Sequence, residues 1–149
     1  MAPFILLVAS FLLLSILGRL GMPFSFGWWT ALRISLAAMF LLTASAHWGR
    51  RRADLIRMIP PRLSRPDLLV SISGVLEILG AIGLLIPPVA PFAGLSLSLF
   101  LLAVFPANVH AARQRLVIAG RPVTPLVART AIQVIFVAAT MAVFIAGVR

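Results

Sequence analysis

The sequence predicts an all-α transmembrane protein that forms one domain over its 149 residues and crosses the bilayer five times. The chain is 62% hydrophobic, with a mean hydropathy of +1.12, and a water-soluble domain cannot bury that much apolar surface. The apolar residues also fall into five runs, which are separated by turns containing proline, glycine or arginine. A run of about 20 apolar residues spans a bilayer as a helix.

Composition excludes several kinds of chemistry. The chain has no cysteine, which removes disulfides, thiol nucleophiles and iron–sulfur ligation. Its 13 basic residues are all arginines, and with three acids they give a net charge of +10. In a soluble protein this charge would suggest nucleic acid as a partner. In a membrane protein it indicates loops that lie against anionic lipid head groups, and no nucleic acid partner is expected.

The first span is predicted at residues 4–17, with Arg19 at its end. A cleaved signal peptide is the alternative, but no arginine or lysine precedes the apolar run and a good cleavage site is absent. The second span is predicted at residues 29–47, after a turn whose two tryptophans favour the membrane interface. One helical stripe of this span contains Arg33 and ends at His47. Arg33 is therefore either a snorkelling interfacial arginine or part of an inward-facing polar stripe.

The loop at residues 48–67 is the most polar part of the chain. Its arginines alternate with aliphatic residues, a pattern typical of a short amphipathic segment that lies on the membrane surface. The predicted membrane-surface residues are Arg50, Arg51, Arg52, Arg57, Arg62 and Arg65. Pro66 and Asp67 then favour the first turn of the third span.

Glu77 lies near the middle of this third span, residues 68–86, about 15 Å from either membrane surface. A carboxylate there costs several kcal/mol unless it is protonated, paired or hydrated, so a functional role is the default hypothesis. The alternative is that Glu77 only clamps two helices together. One face around Glu77 is small and suits helix packing (Ser73, Gly74, Gly80, Ala81), and the opposite face is bulky and suits lipid (Ile72, Val75, Leu79, Ile82).

The fourth span, residues 92–112, follows a very short uncharged turn, so it is expected to form an antiparallel hairpin with the third. Pro106 can kink this helix. Asn108 and His110 are about 200° apart on a helix, so one is expected to face the bundle and the other its edge.

The fifth span is predicted at residues 125–147, with Thr124 as its cap. Gln133 is its one strongly polar side chain predicted at depth. Alanines repeat every four residues at Ala138, Ala142 and Ala146, which predicts a face that contacts another helix.

The arginine-rich loops lie on one side of the membrane if all five runs cross it. The positive-inside rule then places them in the cytoplasm, with the amino terminus inside and the carboxyl terminus outside a bacterial cytoplasmic membrane. Arg33 enters from the outer end, and its depth differs from that of Glu77 by on the order of 8 Å. A buried Arg33–Glu77 pair, direct or through one water, is therefore predicted.

Several segments, taken in order, resemble the DoxX-like membrane proteins. They are His47 after an apolar span, Met-Ile-Pro-Pro in the loop, Ser-Gly-Val-Leu-Glu-Ile-Leu-Gly around Glu77, and Phe-Pro-Ala-Asn-Val-His. The resemblance covers residues 29–147 and implies a four-helix bundle, with residues 1–21 as an additional N-terminal span. It also implies the ligand-binding or buried polar residues: Arg33, His47, Glu77, Asn108 and His110.

Three functions follow as hypotheses. Because DoxX-like proteins have been tied to quinone-linked sulfur oxidation and membrane oxidoreductase complexes, the first is a quinone- or lipophile-binding or accessory subunit, with other membrane subunits or a second copy as partners. The second is a structural or chaperone-like subunit of a larger complex. The third is a stand-alone membrane enzyme that uses Glu77 as acid or base. The first and third predict a cavity beside Glu77, whereas the second predicts dry packing there.

Other site chemistry finds little support in the sequence. No nucleophile–base set, phosphate loop or dinucleotide motif is present. The ligands are too few for a structural or catalytic metal site. The two histidines could ligate a haem b iron, which is a minor alternative to their being hydrogen-bonded near a helix end.

Overall fold

The computed structural model describes residues 1–20, 27–118 and 120–148, and this part of the chain is mostly helical. Five of its helices are long and apolar enough to cross a membrane, which confirms the prediction of five spans by length and composition. These helices are α1 (Ala2–Arg19), α2 (Trp28–Ser45), α4 (Pro66–Leu85), α5 (Ala90–Arg113) and α6 (Leu126–Gly147). The shorter elements are α3 (Arg52–Met58), β1 (Val117–Ile118) and β2 (Arg121–Pro122).

Proline marks the beginning of three of the long helices. α1, α4 and α5 each carry a proline in the first two positions, where the missing backbone N–H costs nothing. Asp67 lies in the first turn of α4, as predicted. The predicted cap of the fifth span is wrong, because α6 begins at Leu126 after Pro125 and no side chain caps it.

The loop between α5 and α6 contains an antiparallel pair of two-residue strands that the sequence did not predict. β1 pairs with β2 in the register Val117 to Pro122 and Ile118 to Arg121. Gly120 closes the turn with a φ of +73°, in the left-handed region that glycine adopts without strain. Strands this short leave no alternation of apolar and polar residues to detect.

The long helices pack as an antiparallel bundle. α2 packs against α1 and α4, α5 packs against α4 and α6, and α6 also touches α2. Leu36, Phe40, Leu84 and Leu97 are fully buried among them. The carboxyl ends of α2 and α5 and the amino ends of α4 and α6 lie together with α3, and this end of the bundle is called the arginine-rich end below.

α1 lies at the edge of the bundle. Leu7 is its one buried residue among those described. Phe4 contacts Phe136 of α6 with ring centroids 6.5 Å apart, and Phe11 meets Trp28 edge to face at 4.7 Å. The predicted turn between α1 and α2 falls mostly outside the described residues, but both of its tryptophans belong to α2 and are about half exposed.

Of the helix faces predicted from the sequence, those of α4 are confirmed and that of α6 is wrong. On α4 the small face packs inward and the bulky face is exposed, as predicted. On α6 the predicted alanine face is wrong, because Ala138 is exposed and the buried residues are Gln133, Phe136, Thr140 and Val143. α6 needs no small residues at this contact, since Gly94 of α5 supplies the space for its backbone.

Candidate functional site

Glu77 lies at the α2/α4 interface with 8% of its surface exposed. The hydroxyl of Thr43 on α2 is near enough to interact with its carboxyl group, and it also donates to the carbonyl oxygen of Phe40 at 2.9 Å. The Oε2 atom of Glu77 is buried and has no hydrogen-bond partner. A polar atom buried without a partner is costly, so this oxygen is a candidate contact for a ligand.

Gly74 sets the register of α2 against α4. A Cβ on Gly74 would lie 2.7 Å from the Cβ of His47 and 2.7 Å from the Cη2 of Trp48, so the backbone of α4 lies directly against these side chains. One helical turn deeper, Glu77 faces Thr43. His47, Thr43 and Glu77 therefore belong to one cluster, which we call the Glu77 cluster.

This register also places Arg33 far from Glu77. Arg33 precedes Thr43 by ten positions on α2, which is about 15 Å along the helix axis. In the described structure Arg33 and Glu77 form no ion pair, and the Nε of Arg33 and the Oε2 of Glu77 are both without a partner, so the predicted direct pair is wrong. The predicted depth difference of about 8 Å between Arg33 and Glu77 was obtained by counting residues from the ends of their spans. The contacts of Gly74 instead give the observed register of α2 against α4. Arg33 is half-buried, with a buried Nε that has no partner.

His47 follows the last residue of α2 and is buried. Its Nδ1 lies 3.2 Å from the carbonyl oxygen of Thr43 and 3.3 Å from that of Ala44, so Nδ1 carries the proton and donates. Burial lowers the pKa of His47 from its ordinary value of 6.5, and the nearby charge of Arg52 lowers it further, while the two backbone bonds oppose the shift.

Arg52 ties the end of α2 to the beginning of α4. Its Nη1 donates to the carbonyl oxygen of His47 at 2.9 Å. Its Nη2 donates to the carbonyl oxygen of Asp67 at 3.0 Å and to the Oγ of Ser71 at 2.9 Å. Arg52 belongs to the predicted membrane-surface set, and its guanidinium has three acceptors within the chain.

The other arginines of the predicted membrane-surface set are exposed. Arg57 pairs with Asp54 on the same turn of α3. The remaining four, all exposed, are Arg50, Arg51, Arg62 and Arg65. The predicted amphipathic segment forms as the seven-residue helix α3, in which no residue is buried.

A second polar cluster lies between α5 and α6, and we call it the Arg129 cluster. Arg129 Nη1 donates to Asn108 Oδ1 at 2.7 Å, and Asn108 Nδ2 donates to Gln133 Oε1 at 3.4 Å. Gln133 Nε2 in turn donates to the carbonyl oxygen of Leu101 at 2.5 Å, about one turn before Pro106. Sequence reasoning missed Arg129, although its spacing of four residues from Gln133 puts both on one helix face.

The sequence-predicted residues thus divide between the two clusters. His47 and Glu77 lie in the first, and Asn108 lies in the second. Arg33 and His110 belong to neither in the described structure, and His110 is half-buried. Asn108 therefore faces α6, which agrees with the expectation that Asn108 and His110 point in different directions. Among the described residues, no group of three or more histidine, aspartate or glutamate side chains could hold a metal ion.

Two cavities lie away from Glu77. One, of about 340 Å³, is a mainly apolar groove between α4 and α5 that includes Leu76, Gly80, Leu97 and Phe100 in its wall. The other, of about 160 Å³, lies between α1, α5 and α6 beside the Arg129 cluster. Glu77 lines neither of them, so neither supplies the cavity beside Glu77 that the lipophile-binding and enzyme hypotheses predict.

The fold defines a class: a small helical protein with five helices suited to span a membrane and two polar clusters between them. The chain belongs to the family described as a domain of unknown function, DUF8561, whose model matches residues 36–144. That match includes both polar clusters and excludes α1 and Arg33. No curated protein and no solved structure matches the chain.

Proposed function

We propose that the chain is an integral membrane protein that binds a lipophile with a hydrogen-bonding polar head, as a binding or accessory subunit of a membrane complex. The proposal rests on the buried Oε2 of Glu77, which has no partner among the residues that the structure describes. A carbonyl or hydroxyl group of a ligand would give this carboxyl group the hydrogen bond that it lacks. Quinones are the ligand class that the DoxX-like resemblance of the sequence favours.

The chain offers both parts of such a site. The Glu77 carboxyl group, positioned by Thr43, would hold the oxygen of a bound head group, and a quinone would supply reversible two-electron chemistry. The groove between α4 and α5 has a volume of about 340 Å³, within the range of ligand pockets, and Gly80 in its wall is one turn from Glu77. An apolar tail of the ligand would lie in this groove.

The test compares the lipophiles that co-purify with the wild-type protein and with Glu77→Leu, identified by native mass spectrometry and extraction. Leucine has a similar size but cannot hydrogen-bond, so we expect at least about a tenfold loss of the bound lipophile. Asp67→Asn is the control, because it removes an exposed carboxylate of the same chain. Equal retention by the wild type and Glu77→Leu would reject the proposal.

A structural role in a larger complex is the second candidate. The close contact of Gly74 with His47 and Trp48 favours it, since it is the dry packing expected of a purely structural interface. On this alternative no lipophile co-purifies in stoichiometric amount, and partner subunits co-purify instead. A native mass of the complex therefore separates the two functions.

We also propose how the protein is oriented in the membrane and which of its helices form the four-helix bundle. The arginine-rich end would face the cytoplasm of a bacterial cell, because exposed arginines of the loop around α3 cluster there. α2, α4, α5 and α6 would form the DoxX-like four-helix core, with α1 added at its edge. The chain has no cysteine, so single cysteines at positions 52, 88 and 121 can be labelled from either side. Positions 52 and 121 should react from the cytoplasm and position 88 from outside, and opposite sides for 52 and 121 would contradict five crossings.

A further inference from the structure

No acidic side chain pairs with Arg129 in the described part of the chain. The sequence has three acids. Asp54 pairs with Arg57, Asp67 lies exposed in the first turn of α4, and Glu77 lies at the α2/α4 interface. The acceptor that Arg129 does have, Asn108 Oδ1, is neutral, and its Nε is buried without a partner. A half-buried guanidinium with a spare donor and no counter-ion favours an anion from outside the chain.

The cavity beside Arg129 has room for such a group. Its volume is about 160 Å³, and its wall combines polar and apolar residues. The polar residues are Asn108, Thr124, Arg129 and Gln133, and the apolar residues include Pro3, Phe4, Ile132 and Phe136. A wall of this kind suits the junction between the charged head and the apolar part of an amphiphile, rather than a wholly apolar molecule.

The surrounding bonds hold the guanidinium in place. Gln133 is fixed by the carbonyl oxygen of Leu101, and its own Oε1 accepts the amide of Asn108, so the Oδ1 of Asn108 is left to face Arg129. α6 begins one turn before Arg129, with no acid in its first turn and no side-chain cap. The positive end of the α6 dipole therefore adds to the charge of Arg129.

We propose that Arg129, together with Asn108 and Thr124, forms a site for one phosphate or carboxylate group of an amphiphile whose apolar part lies against Phe4 and Phe136. This site is separate from the Glu77 cluster, which lies at a different interface, so either proposal can fail without the other. It also differs from the diffuse attraction of exposed arginines to an anionic bilayer, because it binds one molecule through named side chains.

The experiment measures how many lipid molecules the purified protein retains in native mass spectrometry after exchange into mixed vesicles of phosphatidylcholine and phosphatidylglycerol. We expect the wild type to retain one phosphatidylglycerol, and Arg129→Gln to reduce this retention about tenfold. Arg113→Gln is the matched control, because Arg113 is an exposed arginine in the last turn of α5 at the same end of the bundle. It should retain the lipid as the wild type does.

Asn108→Asp supplies a counter-ion from within the chain. It should leave the protein folded and displace phosphatidylglycerol, because the new carboxylate pairs with Arg129. If Arg129→Gln does not fold, the retention of phosphatidylglycerol by Asn108→Asp tests the proposal in its place.

Thermal unfolding with inorganic phosphate separates the two sources of the anion. Stabilisation by phosphate that is lost in Arg129→Gln would indicate a free anion rather than a lipid.

Three results would overturn the proposal. The first is an equal loss of phosphatidylglycerol in Arg129→Gln and Arg113→Gln, which would show only diffuse attraction. The second is undiminished retention in Asn108→Asp. The third is a wild-type protein that neither prefers phosphatidylglycerol over phosphatidylcholine nor responds to phosphate.

Discussion

The α2/α4 and α5/α6 interfaces both bury polar side chains among apolar helices, but they bond them differently. Between α5 and α6, Ser98 and Thr140 hydrogen-bond at 2.7 Å, and Gln133 bonds both to Asn108 and to the backbone of Leu101. Between α2 and α4, Glu77 keeps a buried oxygen without a partner. The first arrangement stabilises the packing, whereas the second carries a cost that a ligand can remove.

The largest effect is expected from adding one methyl group at the α5/α6 contact. A Cβ at Gly94 would lie 2.6 Å from the backbone oxygen of Thr140, so Gly94→Ala must push α6 away and should lower the free energy of unfolding by about 3 kcal/mol. Gly74→Ala would bring a Cβ to 2.7 Å from the Cβ of His47, which lies beyond the last residue of α2 rather than within a helix, and should cost about 1–2 kcal/mol. Denaturation in detergent micelles measures both, and Gly27→Ala, with nothing within 4 Å, should change little. A larger loss for Gly74→Ala would contradict this ranking of the interfaces.

The sharpest contrast comes from the same substitution at both clusters. Glu77→Leu removes a buried carboxyl group that has one unpartnered oxygen and should raise the free energy of unfolding by about 1–2 kcal/mol. Gln133→Leu removes the bonds to Leu101 and Asn108 and should lower it by about 1–2 kcal/mol. Ligand-free protein in detergent is the sample to compare. If both variants shift stability in the same direction, the distinction between the two interfaces is wrong.

A smaller effect is expected at the arginine-rich end. Arg52→Gln removes three hydrogen bonds that tie the end of α2 to α4, and because the side chain is only half-buried the loss should be about 1 kcal/mol. The loop around α3 should also become more sensitive to limited proteolysis. Arg51→Gln is the control, since Arg51 is exposed. Equal cleavage rates in the two variants would show that Arg52 does not hold the end of α2 against α4.

The smallest effect is a pH dependence at His47. Its pKa is lowered in the folded state, so the unfolded chain binds the proton more readily. The corresponding stability is fully present above the ordinary pKa of about 6.5 and is lost as the pH falls from there toward the folded-state pKa. The melting temperature between pH 7.5 and pH 5 should fall less in His47→Gln than in the wild type. An equal fall in the two proteins would contradict this role of His47.

The sequence predicted the candidate site only in part. The faces of α4 around Glu77 were predictable, because a helix repeats every 3.6 residues and the sizes of the neighbours differ sharply. Which residue of α2 faces Glu77 was not predictable, since the register depends on where Gly74 lets the helices meet. The prediction that Arg33 pairs with Glu77 was therefore wrong. Arg129 was not recognised as a candidate site residue, although it lies in the predicted fifth span.

The amino-acid sequence alone predicts which helices are suited to a membrane and which polar residues they contain. Apolar runs and their proline boundaries are local properties, and local chemistry decides where a helix begins and ends. Only the tertiary structure decided which polar groups are bonded. Asn108 and Gln133 are 25 residues apart in the chain and meet through the antiparallel packing of α5 and α6. Such contacts depend on the distance between helix backbones, which is set by glycines and side-chain volumes on both partners at once and is not encoded in either helix alone.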